Sequence, residues 1–444
     1  MAYRFSGGTK VAHHKHSTER KPVEKLPMPA QLVVPLQQHL GAPTTVQVKK
    51  GDVVKKGQVI GAPNGFVSAP IHAPTSGTVA AVETRPHPVI GKGMAVVIDV
   101  DGQDAWAEGL PKPARDWRTA TRDEIRAAAR EAGIVGMGGA TFPTHVKLAP
   151  PDNKPIDMVL INGAECEPYL TSDHAAMLAR AEDIVIGAKL CAKATGAAKA
   201  AIGIEENKPD AIARFRELAA KDGVEVFELS TRYPQGAERS LIYAITKREL
   251  PAGKLPMDVG VVVQNVNTVI ALADAVRTGL PVTDKIVTVT GSCVREPKNV
   301  LAPIGAPFSA LVEFCGGFSE APAKILMGGP MMGIAQYTLD VPVVKGTSGI
   351  VCLTEAESPR RPILPCIRCG RCVSACPMGL APTDIAEAAL KGLFADAEML
   401  HALDCVECGC CTFECPAHRP MVQTIRTAKA VIREMEKKRK AHAG

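Results

Sequence analysis

The hydrophobic pattern of the first quarter of the chain is that of short strands. From about residue 31 to 100, valine-rich segments such as Val46–Val48 and Val53–Val54 are separated by Gly-Asp and Ser-Gly turns. Short strands at regular spacing with such turns are typical of a small β-barrel or sandwich. Because a proline-rich linker follows at 109–113, we place an irregular N-terminal arm and this β module in residues 1–113.

The middle of the chain alternates between apolar strand segments and helical segments. Thr121 and Glu124 form a capping box before an alanine-rich helix that should end near Gly133. The alternation predicts an α/β domain with a mostly parallel sheet over 114–283. Its further predicted elements are a strand at Met158–Ile161, a helix at 173–195, a strand at 199–204, a helix at 208–221, a strand at 224–229, a helix at 236–248, a strand at 259–263 and a helix at 268–278.

Two segments complete the chain. Residues 284–350 return to β character with glycine and proline turns, for example at Ile286–Thr290. The last linker is Pro359–Pro365, and a cysteine-dense segment follows it. We therefore place a β-rich domain at 284–355, and a cysteine-rich domain with a C-terminal helix at 356–444.

Composition narrows the class of protein. With 46% hydrophobic and 22% charged residues, the 444-residue chain can bury several cores. A formal net charge of +6, without a basic stripe interleaved with aromatic residues, argues against nucleic acid as a partner. No apolar run approaches the roughly 18–20 residues that span a bilayer. The polar N-terminus is unlike a secretory signal, so we expect the 14 cysteines to be metal ligands in a reducing compartment rather than disulfides.

Eight of the cysteines form two copies of the motif Cys-x2-Cys-x2-Cys-x3-Cys-Pro. In this spacing three thiolates bind one [4Fe–4S] cluster and the fourth reaches the other cluster. Paired zinc sites are the alternative, but zinc explains neither the third cysteine nor the Cys-Pro ending. Cys410 falls outside the motif and is expected to be a bystander. The predicted ligands are Cys366, Cys369, Cys372 and Cys415 for the first cluster, and Cys405, Cys408, Cys411 and Cys376 for the second cluster.

Three loops of the α/β domain carry candidate ligand-binding residues. Glycine amides can approach a phosphate or a flat ring closely, and ligands of α/β sheets bind beyond the carboxyl ends of the strands. For each loop taken alone an alternative remains open: a plain turn for the glycine loop, loop solubility for the strand end, and helix N-capping for the junction. The occurrence of all three loops in one domain favours one shared ligand. The loops are the glycine loop 136–139 with Lys147 beyond it, the strand end with Asn162, Glu165 and Glu167, and the junction with Gln264, Asn265, Asn267 and Thr268.

Nearly the full length of the chain resembles the C subunits of Rnf complexes, the ion-translocating ferredoxin:NAD oxidoreductases of bacterial membranes. The resemblance implies an N-terminal barrel-sandwich hybrid, a central FMN- and NADH-binding α/β domain similar to the flavin-binding subunit of respiratory NADH dehydrogenase, a β-grasp (soluble-ligand-binding) domain and a two-cluster ferredoxin-like domain. The segments that carry it are Phe5–Gly8, Pro35–Gly41, His72–Gly77, Gly138–Thr144, Asn162–Tyr169, Met327–Gly333 and the two cysteine motifs.

The same resemblance implies the residues of the flavin site, with Phe142 and Glu167 facing the nicotinamide nucleotide. Two positions depart from the respiratory subunit: Met137 replaces the arginine of its glycine loop, and Ala164 replaces the aspartate of its Asp-Glu pair. We therefore expect Lys147 to meet the charge of the FMN phosphate. The implied FMN ligands are Gly136, Gly138, Gly139, Lys147, Asn162, Glu165, Gly236, Glu238, Asn265 and Thr268.

The implied function is that of an electron-transferring subunit. Hydride would be exchanged between NAD(H) and FMN, and single electrons would pass through the two clusters to or from partner subunits. The implied partners are the other subunits of a membrane-embedded complex and, through them, ferredoxin, with the chain bound peripherally at the cytoplasmic face of the bacterial inner membrane. A biotinyl- or lipoyl-type carrier is disfavoured because the hairpin tip Ala62–Phe66 has no lysine. A cluster-bearing scaffold without its own flavin remains an alternative.

Overall fold

The computed structural model describes residues 2–443, whose strands fall into four sheets. Short 3-10 segments lie at Trp117–Thr119, Pro256–Val259 and Ala402–Asp404. The strands are β1 (Val23–Lys25), β2 (Gln31–Pro35), β3 (Thr45–Val46), β4 (Val53–Val54), β5 (Val59–Ala62), β6 (Ile71–His72), β7 (Gly77–His87), β8 (Gly91–Val100), β9 (Met158–Gly163), β10 (Lys199–Glu205), β11 (Glu225–Leu229), β12 (Val261–Asn265), β13 (Asp284–Thr290), β14 (Lys298–Pro303), β15 (Lys324–Met327), β16 (Ile334–Ala335) and β17 (Gly349–Leu353). The helices are α1 (Arg122–Glu131), α2 (Thr144–Lys147), α3 (Ser172–Ala179), α4 (Ala181–Thr195), α5 (Pro209–Ala220), α6 (Glu238–Thr246), α7 (Val266–Thr278), α8 (Phe308–Phe314), α9 (Arg371–Ala375), α10 (Pro382–Leu390), α11 (Phe394–Met399), α12 (Cys410–Phe413) and α13 (Met421–Ala443).

Two antiparallel sheets form the N-terminal β module. Their strand orders are β2-β8-β7-β4 and β3-β5-β6. Alternate residues of the strands, such as Leu32, Val34 and Ile98, are fully buried, as a sheet with one face on a core requires. The expected barrel or sandwich is therefore confirmed.

The central sheet is parallel throughout, with the order β11-β10-β9-β12. The capping box that starts α1 is present, since Thr121 and Glu124 each accept a hydrogen bond from the other's backbone amide. Gly133 has a φ of +65° just beyond the helix, as a glycine at a helix end allows. The predicted α/β domain is confirmed.

Two element boundaries in this domain differ from the prediction. The single helix expected at 173–195 is two helices, α3 and α4, because Arg180 between them has a non-helical φ of −132°. The strand expected to end at residue 263 continues to Asn265, and α7 begins at once because the Asn265 side chain accepts a hydrogen bond from the Asn267 amide. N-capping is therefore one confirmed role of Asn265.

The third sheet is mixed, with the order β1-β14-β13-β17-β15-β16. Its edge strand β1 comes from the N-terminal segment and pairs in parallel with β14. Residues of this sheet and of the N-terminal module share one hydrophobic core, in which Val287, Val300 and Phe308 pack together with Leu32 and Ile98. These two modules are therefore held together by burial of apolar surface.

The C-terminal segment is helical. Helices α10 and α11 pack on α13 around a small core that contains Ile385, Met421, Ile425 and Ile432. Helix α13 has an apolar face and a charged face. No helix within residues 2–443 is both long enough and apolar enough to cross a bilayer.

The N-terminal arm runs between the central sheet and the C-terminal helices. Thr9 forms a β-bridge with Tyr233, and the Gly8 amide donates to the Ala375 carbonyl at 2.9 Å. The Lys15 ammonium is buried and donates to the Glu165 carbonyl at 2.7 Å. The arm therefore fastens the cysteine-rich segment to the central domain.

Candidate cofactor sites

The central sheet has a crevice where its strand order reverses. The strand β9 has β10 on one side and β12 on the other, and the last residues of β9 and β12 are neighbours, with Asn162 opposite Asn265. Ligands of open α/β sheets bind beyond the carboxyl ends of the strands at this kind of reversal. The crevice is therefore the first place to look for a bound cofactor.

The glycine loop lies against this crevice. The Met137 amide donates to the Thr268 hydroxyl at 2.9 Å. A Cβ atom at Gly138 would collide with the Asn265 side chain, whereas a Cβ atom at Gly139 would have no heavy atom of residues 2–443 within 4 Å. The loop is thus packed against the protein at Gly138 and leaves open space at Gly139. Such space lets a bound group approach the backbone of the loop closely.

A lysine and a glutamate from different elements meet near the same strand ends. The Lys147 ammonium, at the end of α2, lies 2.9 Å from the Glu238 carboxylate at the start of α6. It also donates to the Val263 carbonyl in β12 at 3.2 Å. The structure therefore brings Lys147 and Glu238 together beside β12, with both side chains partly exposed.

Asn162 ties the end of β9 to the loop before α6. Its side-chain amide donates to the Gly236 carbonyl at 2.8 Å, and its side-chain oxygen accepts from the Ala164 amide at 3.0 Å. A Cβ atom at Gly236 would collide with the Ala164 carbonyl. The close approach of these two loops therefore requires glycine at position 236.

Glu165 serves the helix that follows it. Its buried carboxylate accepts hydrogen bonds from the Asp173 amide at 2.9 Å, from the His174 amide at 3.3 Å and from the Ser172 hydroxyl at 3.2 Å. A carboxylate at a helix N-terminus satisfies unpaired amides and complements the helix dipole. The structure therefore places both oxygens of Glu165 at the first turn of α3.

Asp173, which the sequence patterns did not single out, joins this network. Its carboxylate accepts from the side-chain amide of Asn265 at 2.7 Å and from that of Asn267 at 2.6 Å. Burial and, to a lesser extent, the nearby Glu165 charge raise the pKa of Asp173 to about 6, while Lys285 opposes the shift. The only local sign of this role is an acidic residue in the first turn of a helix.

Glu167 and Phe142 contact different segments of the chain. The two oxygens of Glu167 accept from the Met331 amide at 3.1 Å and from the Met332 amide at 2.8 Å. Burial raises the pKa of Glu167 to about 7. Phe142 is half-buried, and its carbonyl accepts from the Gly136 amide within the glycine loop. No hydrogen bond or ring contact joins Phe142 to Glu167 in the described part of the chain.

The four cysteines predicted for the second cluster line one cavity, together with apolar side chains such as Leu380 and Ile425. The cysteine side chains line the walls of this cavity. Within residues 2–443, no three His, Cys, Asp or Glu side chains converge on the position of a single metal ion. Backbone amides point at the sulfurs, with 3.4 Å from the Leu380 amide to the sulfur of Cys376 and 3.4 Å from the Glu407 amide to that of Cys405. This lining suits a sulfide-bridged cluster, whose ligands sit at separate corners.

The four cysteines predicted for the first cluster lie at the surface. Cys366 and Cys369 are exposed, and Cys372 and Cys415 are partly buried. Burial raises the pKa of Cys372, and the proximity of Cys415 adds to the shift. The Arg368 amide lies 3.4 Å from the Cys366 sulfur. The fourth cysteine of each motif is thus positioned next to the other motif, which is the arrangement that crossed ligand sets require.

Tyr233 joins the central domain to the second cysteine motif. Its buried hydroxyl donates to the Cys408 carbonyl at 2.7 Å, and its ring packs in one cluster with Cys408 and Cys410, which Cys166 and Val406 also contact. Tyr233 lies in the loop that also contains Gly236. No spacing or motif in the sequence marks this residue.

Four family models match consecutive parts of the chain. They are described as the RnfC barrel sandwich hybrid domain over residues 3–103, the Nuo51 FMN-binding domain over 129–274, the SLBB domain over 286–335 and the 4Fe-4S dicluster domain over 365–418.

Curated relatives match almost the entire chain. The C subunit of the proton-translocating ferredoxin:NAD(+) oxidoreductase complex of Clostridium ljungdahlii is 49% identical over 99% of this chain and 96% of its own length. The C subunit of the Na(+)-translocating ferredoxin:NAD(+) oxidoreductase complex of Acetobacterium woodii is 48% identical over 96% and 97%, respectively. The C subunit of the ion-translocating oxidoreductase complex of Rhodobacter capsulatus is 44% identical over 99% and 85%.

Proposed function

The chain belongs to the family of C subunits of ion-translocating ferredoxin:NAD(+) oxidoreductase complexes, and from this premise we propose that it carries electrons between NAD(H) and the partner subunits of such a complex. The observation that carries the proposal is a single loop that contacts both candidate sites. Gly236 in this loop accepts from Asn162 at the crevice, and Tyr233 donates to Cys408 at the cysteine cavity. Electron transfer needs centres that lie close together, and this loop joins the neighbourhoods of the two candidate sites.

The residues at the crevice fit FMN. When bound there, FMN exchanges a hydride with NAD(H) and single electrons with iron–sulfur clusters. The open space at Gly139 admits a flat ring or a phosphate. Lys147 supplies positive charge, while Asn162 and Asn265 fix the strand ends that form the walls.

The remaining predicted flavin residues have supporting positions in this proposal. Gly136 and Thr268 hold the glycine loop in shape through backbone and hydroxyl hydrogen bonds. Glu165 holds the start of α3, whose Asp173 positions Asn265. Glu238 orients the Lys147 ammonium.

We further propose that Phe142 and Glu167 lie on the nucleotide side of the crevice. Glu167 would act there by holding the turn that contains Met331 and Met332 against the central domain. Phe142 offers a half-buried ring beside the glycine loop.

The cysteine-rich segment fits two [4Fe–4S] clusters with crossed ligands. Cys376 with Cys405, Cys408 and Cys411 would hold the second cluster, next to Tyr233. Cys366, Cys369, Cys372 and Cys415 would hold the first cluster at the surface. In this proposal the second motif lies on the flavin side and the first motif on the side of the partners.

The partners in this proposal are the other subunits of an ion-translocating complex. The relatives are subunits of complexes that translocate protons or Na+ and use ferredoxin and NAD(+) as redox partners, as their names state. We propose that this chain is the peripheral NAD(H)-side subunit of such a complex.

The test is the cofactor content of protein purified without oxygen. We expect about eight iron, about eight sulfide and about one FMN per chain, and NADH should bleach both the flavin band and the broad cluster absorption. Full iron content without flavin would instead favour the cluster-bearing scaffold. A colourless chain that contains zinc would contradict the proposal entirely.

A further inference from the structure

The two cysteine motifs form two loops of the same backbone conformation. We name residues 366–372 the first loop and residues 405–411 the second loop. Arg368 and Glu407 occupy equivalent positions, with φ values of +55° and +57°, and Gly370 and Gly409 are equivalent, with φ values of +73° and +81°. Differences between the loops are therefore differences in surroundings and side chains rather than in backbone shape.

The second loop is covered by the rest of the chain. The Cys408 carbonyl accepts a hydrogen bond from the Tyr233 hydroxyl, and Val406 packs against the apolar cluster that contains this tyrosine. A Cβ atom at Gly409 would lie 2.9 Å from the Met331 carbonyl. Its charged residue Glu407 is paired with Lys429 at 2.7 Å. This face of the second loop contacts the central domain through Tyr233 and the β-rich domain through Met331.

The corresponding face of the first loop is exposed to solvent. Ile367, the equivalent of Val406, is 69% exposed. In the described part of the chain, a Cβ atom at Gly370 would have no heavy atom within 4 Å. The ligand positions Cys366 and Cys369 are exposed on the same loop. The face that the central domain covers on one loop is therefore available on the other.

The surroundings of the first loop are basic and apolar. The segment 359–373 contains four arginines and no aspartate or glutamate. None of these arginines forms a side-chain hydrogen bond or a salt bridge with another residue in the described range 2–443. Between them lie exposed apolar side chains, among them Ile363 at 64% and Val373 at 43% exposure. The arginines are Arg360, Arg361, Arg368 and Arg371.

We propose that the first loop is the docking site of an acidic, one-electron-carrying domain of a partner protein, seated on it as the central domain is seated on the second loop. This inference rests on the proposed electron-transfer function. Arginine stays protonated at any working pH, so four uncompensated guanidinium groups attract an acidic surface and steer its approach. The apolar residues between them supply area to bury at the centre of a contact with a polar rim. Electrons pass only between closely approaching centres, so exposed ligand positions suit an exchange point.

The experiment uses the full, cluster-loaded chain and a purified acidic ferredoxin of the bacterial two-[4Fe–4S] type as the probe. Binding is measured by calorimetry without oxygen at low and at moderate salt. The triple variant R360E/R361E/R368E should bind at least tenfold more weakly at low salt and should lose most of the salt dependence. Glutamate at position 368 suits the loop, because Glu407 holds the equivalent position in the second loop at almost the same φ.

A matched control carries the same change in charge elsewhere. The variant K49E/K50E/K92E alters exposed lysines of the N-terminal β module and should bind the probe within twofold of the unaltered chain. Equal weakening in both variants, or no weakening in either, would overturn the proposal. Binding of the unaltered chain to phosphatidylserine vesicles through the same arginines, without binding to the ferredoxin, would overturn it in favour of a lipid surface.

A second variant tests the apolar part of the surface. Ile367→Ser should weaken binding at least fivefold at both salt concentrations, because it removes buried apolar area rather than charge. Unchanged affinity in this variant would also count against a docked protein. Electron paramagnetic resonance of each variant checks that both clusters remain. The proposed function is tested separately: a chain that lacks FMN or is not bleached by NADH would contradict that function. The comparison of binding affinities among the variants would still test the docking site in that case.

Discussion

At the scale of single residues, a few buried polar groups connect the two candidate sites. Tyr233 is 2% exposed, and within residues 2–443 its hydroxyl has one hydrogen-bond partner, the carbonyl of Cys408. A buried carbonyl that loses its donor costs more than an average hydrogen bond contributes, because it cannot turn to water. The hydrogen bonding of the Cys408 carbonyl therefore depends on this hydroxyl group.

We expect Tyr233→Phe to loosen the second loop while leaving the first loop unchanged. Loss of the hydroxyl should lower the free energy of unfolding by about 1–3 kcal/mol. It should also shift the reduction potential of one of the two clusters, because the Cys408 backbone is no longer fixed. Redox titration followed by electron paramagnetic resonance measures both potentials. Tyr243→Phe, on α6, is the matched control, and equal shifts in both variants would contradict the prediction.

The crossed ligand sets make a second prediction at this scale. Cys376 belongs to the first motif but lines the cavity of the second. Replacing it with alanine should therefore damage the second cluster, lower the iron content from about eight toward about four per chain, and remove one of two paramagnetic signals. Cys410→Ala, in the second loop itself, should keep full iron content. Loss of the first cluster alone in Cys376→Ala would show that the ligand sets are not crossed.

At the scale of elements, the crevice depends on how one loop packs against two strand ends. The glycine loop is held by the Thr268 hydroxyl in α7, and the position of α7 is in turn fixed by Asn265 and Asp173. These contacts connect α3, α7 and the glycine loop into one rigid wall. Within this wall, the two neighbouring glycines meet different surroundings.

Alanine at each of these glycines should have a different effect. Gly138→Ala collides with Asn265, so it should lower both the stability of the flavin-free chain, by about 1–3 kcal/mol, and its affinity for FMN. Gly139→Ala meets no protein atom, so it should leave the stability of the flavin-free chain unchanged and weaken FMN binding at least tenfold. Thermal unfolding and fluorescence titration with FMN measure the two effects. Normal FMN affinity in Gly139→Ala would place the flavin elsewhere.

At the scale of the whole molecule, one buried lysine joins three parts of the chain. Lys345, which follows β16, donates to the Pro70 carbonyl in the N-terminal module at 2.9 Å and to the Gly133 carbonyl beyond α1 at 2.6 Å. Burial lowers the pKa of Lys345 from 10.5 to about 7. The contact among these three parts should therefore depend on pH.

The sign of this dependence follows from proton binding. Between about pH 7 and pH 10.5 the unfolded chain keeps Lys345 protonated while the folded chain releases the proton, so the contribution of this group to stability rises with pH. Below about pH 7 both states bind the proton and the contribution is constant. Lys345→Met should remove the rise. Apparent melting temperatures at pH 7, 8 and 9 test this, with Lys254→Met as the exposed control, and parallel curves for Lys345→Met and the unaltered chain would contradict it.

Features set by local spacing could be predicted without the structure. The capping box at Thr121, the alternation of strands and helices, and the two cysteine motifs follow rules that act over a few residues, and the structure or the comparisons confirm each of them. The position at which a predicted helix is interrupted was less predictable. Arg180 interrupts a helix because its side chain pairs with Asp183 and with the distant Asp274, and no local propensity records that pairing.

Contacts between residues far apart in the chain were decided only when the chain packed. Nothing near Val23 signals that it forms the edge of a sheet with residues around Asn299. Nothing near Tyr233 signals that its hydroxyl meets Cys408, 175 residues later. The physical reason is that helix caps, strand patterns and ligand spacing depend on residues that are neighbours in the sequence. Burial and hydrogen bonding between distant segments depend instead on which surfaces the folded chain brings together. Spacing along the chain identified the chemistry of the cysteine motifs, and packing decided which cysteine loop is covered by the rest of the chain and which one is exposed.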